Sequence, residues 1–272
     1  MLTPLRITLV NMLACLCLAF VVPVLSAQAS TQVIPRETQD LLQRQIVWDE
    51  NQPNGKNPTG LFIQFSKIDE TTSSGKRVAQ YRAYVFGAPQ DKIYTLTVWK
   101  IGSEPHTLSG QVYVNAKGLM MAHKPRPEQV NSDFVGDDEL QLAVQAAQAE
   151  PMRYALASND KKLLISGTLV PFPREDTDRG CRLEVRLAQP DASAVLVYAD
   201  GLQANAEIPL QLLTAGEPGT GKFSVNAQGH AVTTVYPSAN GKDSGAFRVS
   251  LAIPECSVAV DIPWGKGSYH PL

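Results

Sequence analysis

Apolar and polar residues alternate in short runs along most of the chain from Gly60 onwards. A period of two places every second side chain on one face, which is the pattern of a β-strand with one buried surface. Glycine, asparagine and proline lie between the runs and favour turns. The pattern predicts an all-β fold, whose first-half strands are expected at residues 61–68, 78–86, 93–99, 111–114, 119–122, 153–157 and 162–170.

Residues 139–149 fit two kinds of secondary structure. Leu140, Leu142 and Val144 alternate as in a strand, whereas the Ala- and Gln-rich end of the stretch favours a helix. We assign the first half of this stretch to a strand and leave the second half open.

Seven apolar runs with turn residues between them fill the second half of the chain. Seven short strands with a turn about every eight to twelve residues are typical of an immunoglobulin-like β-sandwich, and a small barrel is the alternative. The runs are residues 181–187, 194–198, 207–213, 222–225, 231–236, 247–253 and 257–262.

Residues 94–125 and 208–237 resemble each other. Each stretch has an apolar run, then Glu-Pro, a second run, the sequence Val-Asn-Ala-x-Gly and a third run that ends at proline. Asn115 in the first copy corresponds to Asn226 in the second. We therefore predict two tandem immunoglobulin-like β-sandwich modules, with an insertion at residues 124–138 of the first.

These patterns predict the following division of the chain. A signal peptide spans residues 1–29, and an N-terminal arm or spacer follows. The arm spans residues 30–58, the first module 59–170, a short linker rich in proline and charge 171–179, the second module 180–265 and a C-terminal tail 266–272.

The first 29 residues have the features of an export signal. Arg6 precedes an apolar run over residues 7–25, and Ala27-Gln-Ala29 matches an A-x-A cleavage site. We expect cleavage between Ala29 and Ser30. An uncleaved membrane anchor is the alternative, because the apolar run is nearly long enough to span a bilayer.

Cleavage at that site would remove Cys15 and Cys17 and leave Cys181 and Cys256. Two cysteines in an exported chain indicate one disulfide. Cys181 opens the first strand of the second module and Cys256 precedes the last. A bridge between them would tie the terminal strands together and stabilise the module by about 4 kcal/mol in the chain-entropy model.

The charge balance argues against a nucleic-acid partner. The chain has 24 Lys+Arg and 26 Asp+Glu, a net charge of −2, and no basic cluster. The partners expected are another envelope protein or a surface glycan, and a membrane only if the signal segment stays uncleaved. The compartment predicted is the bacterial periplasm or the medium outside the cell.

Gly216-Glu-Pro-Gly-Thr-Gly-Lys222 matches a phosphate-binding loop except at its last position. That loop needs a hydroxyl residue after the lysine and a helix to follow. Phe223 takes the hydroxyl position here, and the residues that follow form a strand and turn. We therefore interpret the motif as a glycine-rich strand connection and predict no nucleotide or other cofactor.

Two serines lie in motifs that resemble those of hydrolases. Asp243-Ser-Gly245 is similar to the nucleophile segment of trypsin-like proteases, but no histidine has the matching context. Ser158-Asn-Asp-Lys161 matches S-x-x-K without the companion motifs. We interpret the first as a turn between strands and the second as a hairpin tip, and predict no catalytic residue.

Metal and glycan sites have equally weak signals. Histidines far apart in the chain and loop acids fit no ligand spacing for zinc or calcium, so no metal site is predicted. Of the tryptophans, which could stack on sugars, one is expected in the core and one at the bottom of the second sandwich. The residues are His106, His123, His230 and His270; Asp133, Asp137, Asp138 and Glu139; and Trp48, Trp99 (core) and Trp264 (bottom).

Several segments of the second half together resemble exported bacterial immunoglobulin-like proteins of unknown function. The resemblance covers roughly residues 150–265, and the first module only faintly. It implies an all-β fold and no functional residue. The segments are Pro171-Phe-Pro173, Cys181, Tyr198-Ala-Asp-Gly-Leu202, Gly216-Glu217, Asn226-Ala-Gln-Gly229, Tyr236-Pro237, Gly241-Lys-Asp-Ser-Gly245, Cys256 and Pro263-Trp-Gly265.

These features predict a non-enzymatic envelope protein that acts in binding or assembly. The alternative is a secreted hydrolase or inhibitor that uses loop residues of the first module, with His123 and the acids of residues 124–138. A deep polar pocket would favour the enzyme, and an open sheet edge would favour binding by strand addition.

Overall fold

The computed structural model describes residues 60–73, 76–122 and 138–268, and within them the chain is all-β. The predicted signal peptide with its cleavage site at Ala29 and Ser30, the arm at 30–58 and all of the insertion except Asp138 lie outside the described residues. In the described part of the chain, no helix is long and apolar enough to cross a membrane.

The first module is a sandwich of two antiparallel sheets. One sheet has the order β1-β2-β7 and the other β6-β5-β4-β3-β8-β9. The strands are β1 Phe62–Ser73, β2 Lys76–Phe86, β3 Tyr94–Trp99, β4 His106–Val114, β5 Met120–Ala122, β6 Asp138–Glu139, β7 Gln141–Val144, β8 Met152–Ser158 and β9 Leu164–Leu169.

The second module is also a sandwich of two antiparallel sheets, with orders β10-β11-β12-β15 and β14-β13-β16-β17. Strands such as β13 and β17 alternate buried and accessible side chains, as β3 does in the first module, which gives each sandwich its inner faces. The strands are β10 Arg174–Asp178, β11 Cys181–Leu187, β12 Val195–Asp200, β13 Glu207–Thr214, β14 Glu217–Ser224, β15 Ala231–Val235, β16 Ser244–Ile253 and β17 Cys256–Gly265.

The two modules share a strand order. The order β4-β3-β8-β9 of the first corresponds to β14-β13-β16-β17 of the second, and β1-β2 to β11-β12. They diverge after the shared Val-Asn-Ala-x-Gly turn. In the second module the next strand, β15, pairs with β12, whereas in the first β5 pairs with β4, and β7 then pairs with β2. The insertion lies between β5 and β6, at the place where the two topologies part.

The shared turn has the same geometry in both modules. Asn226 Oδ1 accepts hydrogen bonds from the backbone N–H groups of Gln228 and His230, at 2.9 and 3.0 Å. Asn115 Oδ1 accepts the equivalent pair at the same two distances. The glycine at the end of each turn has a φ of 78°. The sequence repeat is therefore also a structural repeat.

Each module has its own apolar core. The core of the first centres on Ile63, Tyr94, Leu96 and Leu156, which are inaccessible to solvent. The core of the second includes Trp264 at the end of β17, where a plug at the bottom of the sandwich is predicted. Trp99 was expected in the core but is only half-buried, because it lies on the outer face of β3, opposite Leu96 and Val98.

The segment between β7 and β8 joins the modules. The Ala149 N–H donates to the Phe172 carbonyl at 2.8 Å, and the Leu187 N–H donates to the Ala149 carbonyl at 2.8 Å. Ile101, Ala147 and Ala149 are buried in the core of the second module although they precede it in the chain. The two sandwiches thus share a packed junction.

Two segments differ from their predicted interpretation. Residues 174–178, within the predicted linker 171–179, form β10, which pairs along its whole length with β11. Charged residues can form this strand because it is an edge strand whose carboxylates take part in hydrogen bonds. Residues 217–221 of the motif interpreted as a connection are instead the first part of the edge strand β14, which continues through the predicted run that begins at 222 and forms a hairpin with β13.

The ambiguous stretch 139–149 has no helix. Its first half forms β7, as assigned, and its second half is an irregular segment with a turn. Glu150, directly after it, is fully buried, and its carboxylate accepts a hydrogen bond from the Ala147 N–H at 2.8 Å. This hydrogen bond holds the turn in the second half of the stretch, whose secondary structure the Ala- and Gln-rich composition does not determine.

Candidate functional site

The phosphate-loop-like motif lies in the β13–β14 hairpin. Ala215 and Gly216 form its turn with positive φ angles, and Lys222 pairs with Glu207 at 2.7 Å on the exposed face. Gly219 and Gly221 pair with Leu212 and Leu210 in an extended ladder. Extended backbone points successive N–H groups in opposite directions, so this segment does not form a phosphate cradle.

One candidate serine lies in a strand, and the other closes a hairpin. Ser244 and Gly245, interpreted as part of a turn, instead begin β16 and pair with Gly265 and Trp264 of β17. The Ser158 hydroxyl donates to Asp160 at 2.5 Å and accepts from the Leu163 N–H at 3.0 Å, which closes the β8–β9 hairpin. Lys92 binds the same Asp160 carboxylate, and the contacts with Lys92 and Ser158 lower the pKa of Asp160.

The candidate metal and glycan residues that the structure describes form no common site. His106 lies at the start of β4 in the first module, and the imidazole of His230 contacts Asp200 in the second. The described residues include no group of three or more histidine, cysteine or acidic side chains that could hold a metal ion. His123, His270, Asp133, Asp137 and Trp48 lie outside the described residues, while Asp138 and Glu139 form β6 and Glu139 binds Arg82.

Cys181 and Cys256 form a disulfide that joins the start of β11 to the start of β17. Their Cα atoms are 6.3 Å apart, and both side chains are buried in the core of the second module. A structural disulfide is typical of proteins that fold in an oxidising compartment.

An ion-pair network covers the outer face of β11 and β12. The Glu184 carboxylate is almost completely buried and binds both Arg182 and Arg186, at 2.8 Å each. Arg186 also stacks over the Tyr198 ring at 4.2 Å. Sequence reasoning did not identify this network, although Arg-x-Glu-x-Arg at alternate positions of one strand places all three side chains on one face.

A cleft of about 330 Å³ opens between the two sheets of the first module. It lies between β3 and β4 of one sheet and β7 of the other, and its floor is part of the core. Leu96, Val98, Leu142 and Val144 line it, together with the ring of Tyr154. Burial raises the pKa of Tyr154.

Two strand edges flank this cleft. β7 is the last strand of its sheet, and β4 pairs with β5 only over Val112–Val114. Among the described residues, no strand pairs with the cleft side of residues 106–111 or with the outer edge of β7. Leu108 lies on the rim of the cleft and is 47% exposed. Strand edges without a partner strand among the described residues therefore lie beside the exposed Leu108, above a buried apolar floor.

Two edges of the second module are protected, and one of them, β14, is the counterpart of β4. The Asp178 and Asp176 carboxylates of β10 accept hydrogen bonds from the Ser257 and Ala259 N–H groups of β17, at 2.8 and 2.9 Å. At the opposite edge, β14 carries Pro218, which cannot donate to another strand. The first-module cleft differs from these two edges, because its open strand edges lie next to apolar side chains.

Comparison with known proteins gives no family. No family model matches the chain, and no curated protein matches its sequence. Among solved structures it is similar to a crystal structure of a tetra-tandem repeat in the extending region of a large adhesion protein, with 12% identity and a TM-score of 0.23. That alignment covers 76% of this chain and 48% of the other, so this chain spans about half the length of that structure.

Proposed function

We propose that this protein is a non-enzymatic binding or assembly protein of the bacterial envelope, which holds an extended segment of a partner polypeptide in the first-module cleft. The observation that carries this proposal is the pair of open strand edges beside the apolar floor. A strand added there would gain backbone hydrogen bonds from the edge and place alternate side chains against Leu108, which is exposed in the cleft.

The energies favour an extended peptide over a small molecule. Each backbone hydrogen bond to an open edge contributes a net stabilisation of about 1 kcal/mol, and a buried aliphatic side chain about 2 kcal/mol. The cleft volume of about 330 Å³ lies at the lower end of the range for small-molecule sites. An added strand uses both the edges and the cleft, whereas a compact ligand would leave the edges unpaired.

The envelope location in this proposal rests on the disulfide and on the sequence of residues 1–29. A disulfide that links the first and last long strands of a module persists in the periplasm or outside the cell but is rare in the cytosol. The export signal supplies the route. Measuring the N-terminal residue of the mature protein tests this route, since the proposal requires Ser30.

A pair of exposed leucines allows a matched test of the cleft. Leu108 lines its rim, whereas Leu164 is 62% exposed on β9 and lies outside the cleft lining. The probe is a nine-residue peptide of alternating valine and threonine, and its Kd is measured by fluorescence anisotropy. Leu108→Gln should weaken binding about fivefold, because about 1 kcal/mol of apolar contact is lost, whereas Leu164→Gln should leave the Kd within about twofold.

Equal effects of both substitutions would contradict the proposed site, as would failure of the unsubstituted protein to bind the peptide. Mass spectrometry of the recovered peptide adds a test of the alternative function. Intact peptide supports a binding protein. Fragments that accumulate with time would favour the secreted hydrolase instead.

A further inference from the structure

Apart from Tyr154 on the floor, the ionisable residues that line the cleft are basic. Lys100 and His106 are the ionisable groups among the described lining residues apart from the tyrosine on its floor, and none of these residues is an aspartate or glutamate. Glu139, which adjoins the lining residue Leu140, is bound to Arg82. The cleft therefore combines an apolar floor with a positive charge at its rim.

Lys100 lies at one end of the open edges. Its ammonium donates to the carbonyl of Gln145 at 2.9 Å, directly after the last residue of β7. An ammonium group has three N–H donors, so this contact leaves two others for a ligand. His106 begins β4 and pairs with Val98, two residues before Lys100, so both basic groups lie at the same end of the cleft.

We propose that the strand held in the cleft carries a carboxylate at its end, which the ammonium of Lys100 binds. This inference rests on the proposed strand addition and adds the chemistry of the ligand. The charge complementarity selects a carboxylate, and the position at the strand end fits either a C-terminal carboxylate or a terminal acidic side chain.

The position of Lys100 also fixes the direction of a strand that ends in a free C-terminus. β3 and β7 both run towards Lys100, whereas β4 begins at this end and runs away from it. A strand whose C-terminus reaches Lys100 therefore runs antiparallel to β4. Antiparallel addition to β4 continues the pattern of its sheet, in which every neighbouring pair is antiparallel.

Three versions of the valine–threonine peptide test the carboxylate. The first has a free C-terminal carboxylate, the second a C-terminal amide, and the third an amide after a final aspartate. The peptide with a free C-terminus, or the one with a final aspartate, should bind about fivefold more tightly than the peptide that ends in an amide without an aspartate. This is the gain in affinity expected from an ion pair at a partly exposed rim. Tighter binding of the first alone assigns the C-terminus, and tighter binding of both assigns any terminal carboxylate.

Lys100→Gln should remove this preference. Lys117→Gln is the matched control, because Lys117 is exposed on the Asn115 turn and does not line the cleft. Thermal denaturation of both variants checks that each remains folded. The preference should also weaken at high salt, which screens exposed charges.

Equal binding of the three peptides, or a preference that survives Lys100→Gln, would overturn the carboxylate inference while leaving strand addition intact. Binding of none of the peptides would overturn both. Occupation of the cleft by a second copy of the chain would also overturn the carboxylate inference. Sedimentation would then show a dimer, and the Leu108→Gln variant would be monomeric.

Discussion

Asn226 shows how one side chain can determine a turn. Its carboxamide oxygen binds two backbone N–H groups, so the chain reverses without help from the rest of the sandwich. The turn ends at Gly229, which is buried and has a φ of 78°. A Cβ at this position would lie 2.7 Å from the Leu202 carbonyl oxygen. The turn therefore needs glycine for both its backbone conformation and its close approach to the neighbouring segment.

Gly229→Ala should destabilise the second module by roughly 2 kcal/mol or more, since the left-handed conformation and the backbone contact each add a cost. Gly216→Ala is the control in the same module. Gly216 has a φ of 89°, but nothing lies within 4 Å of the position of its Cβ, so about 1 kcal/mol is expected. Urea unfolding measures both variants, and equal losses would show that the close contact has no effect.

Asp178 couples the edge of the second module to pH. The Ser257 N–H donates to its carboxylate and lowers the pKa of Asp178 below the ordinary value; partial burial opposes this shift, and Arg179 reinforces it. A lowered folded-state pKa gives stability that is present above the unfolded-state pKa, near 3.9. That stability is lost as the pH falls towards the folded-state pKa.

Asp178→Ala should therefore lower the melting temperature at pH 7, and the difference from the unsubstituted protein should shrink as the pH falls from about 4 towards 2. Asp261→Ala, at an exposed position of β17, the strand that Asp178 contacts, should have a smaller effect at both pH values. A difference that is independent of pH would show that the carboxylate charge does not stabilise this edge.

Strand positions follow closely from the period-two pattern, because alternation directly reports which face is buried. β2, β3, β8, β11 and β16 all lie within a few residues of their predicted runs. β10 was missed, since Arg-Glu-Asp-Thr-Asp has no apolar residue to reveal a buried face. Its pairing depends on hydrogen bonds to β11 and on carboxylates that cap β17, which composition alone does not indicate.

The disulfide joins two strands that lie in different sheets of the second module, β11 and β17. It closes a loop with a sequence separation of 75 residues. Reduction, or replacement of both cysteines by serine, should destabilise this module by about 4 kcal/mol in the chain-entropy model. Calorimetry with and without a reducing agent measures the loss, and an unchanged transition would contradict a stabilising role.

The whole molecule combines two related sandwiches with different edges. Both share a strand order, but in the first module β5 pairs with β4 and β7 completes the other sheet, on either side of the insertion. In the second module, the β10–β17 edge and the β14 edge are protected. Under the proposed function, binding belongs to the first module, and the second contacts it through the packed junction.

The cleft could not be located from the sequence. Leu108 and Leu142 lie in separate predicted segments, and nothing in their local pattern shows that the sheets separate between them. The repeat indicates that an insertion interrupts the first module. Which strands pair around that insertion depends on tertiary contacts and cannot be read from the repeat. Lys100 likewise has no distinctive sequence context, and its position at the rim becomes evident only once β7 is placed.

Hydrogen–deuterium exchange with the valine–threonine peptide is the most direct test of strand addition. Added backbone hydrogen bonds should slow amide exchange in residues 106–111 of β4 and in β7, while β14 in the second module should exchange as before. Unchanged exchange at β4 and β7 in the presence of saturating peptide, or protection confined to β14, would contradict a strand-binding cleft in the first module.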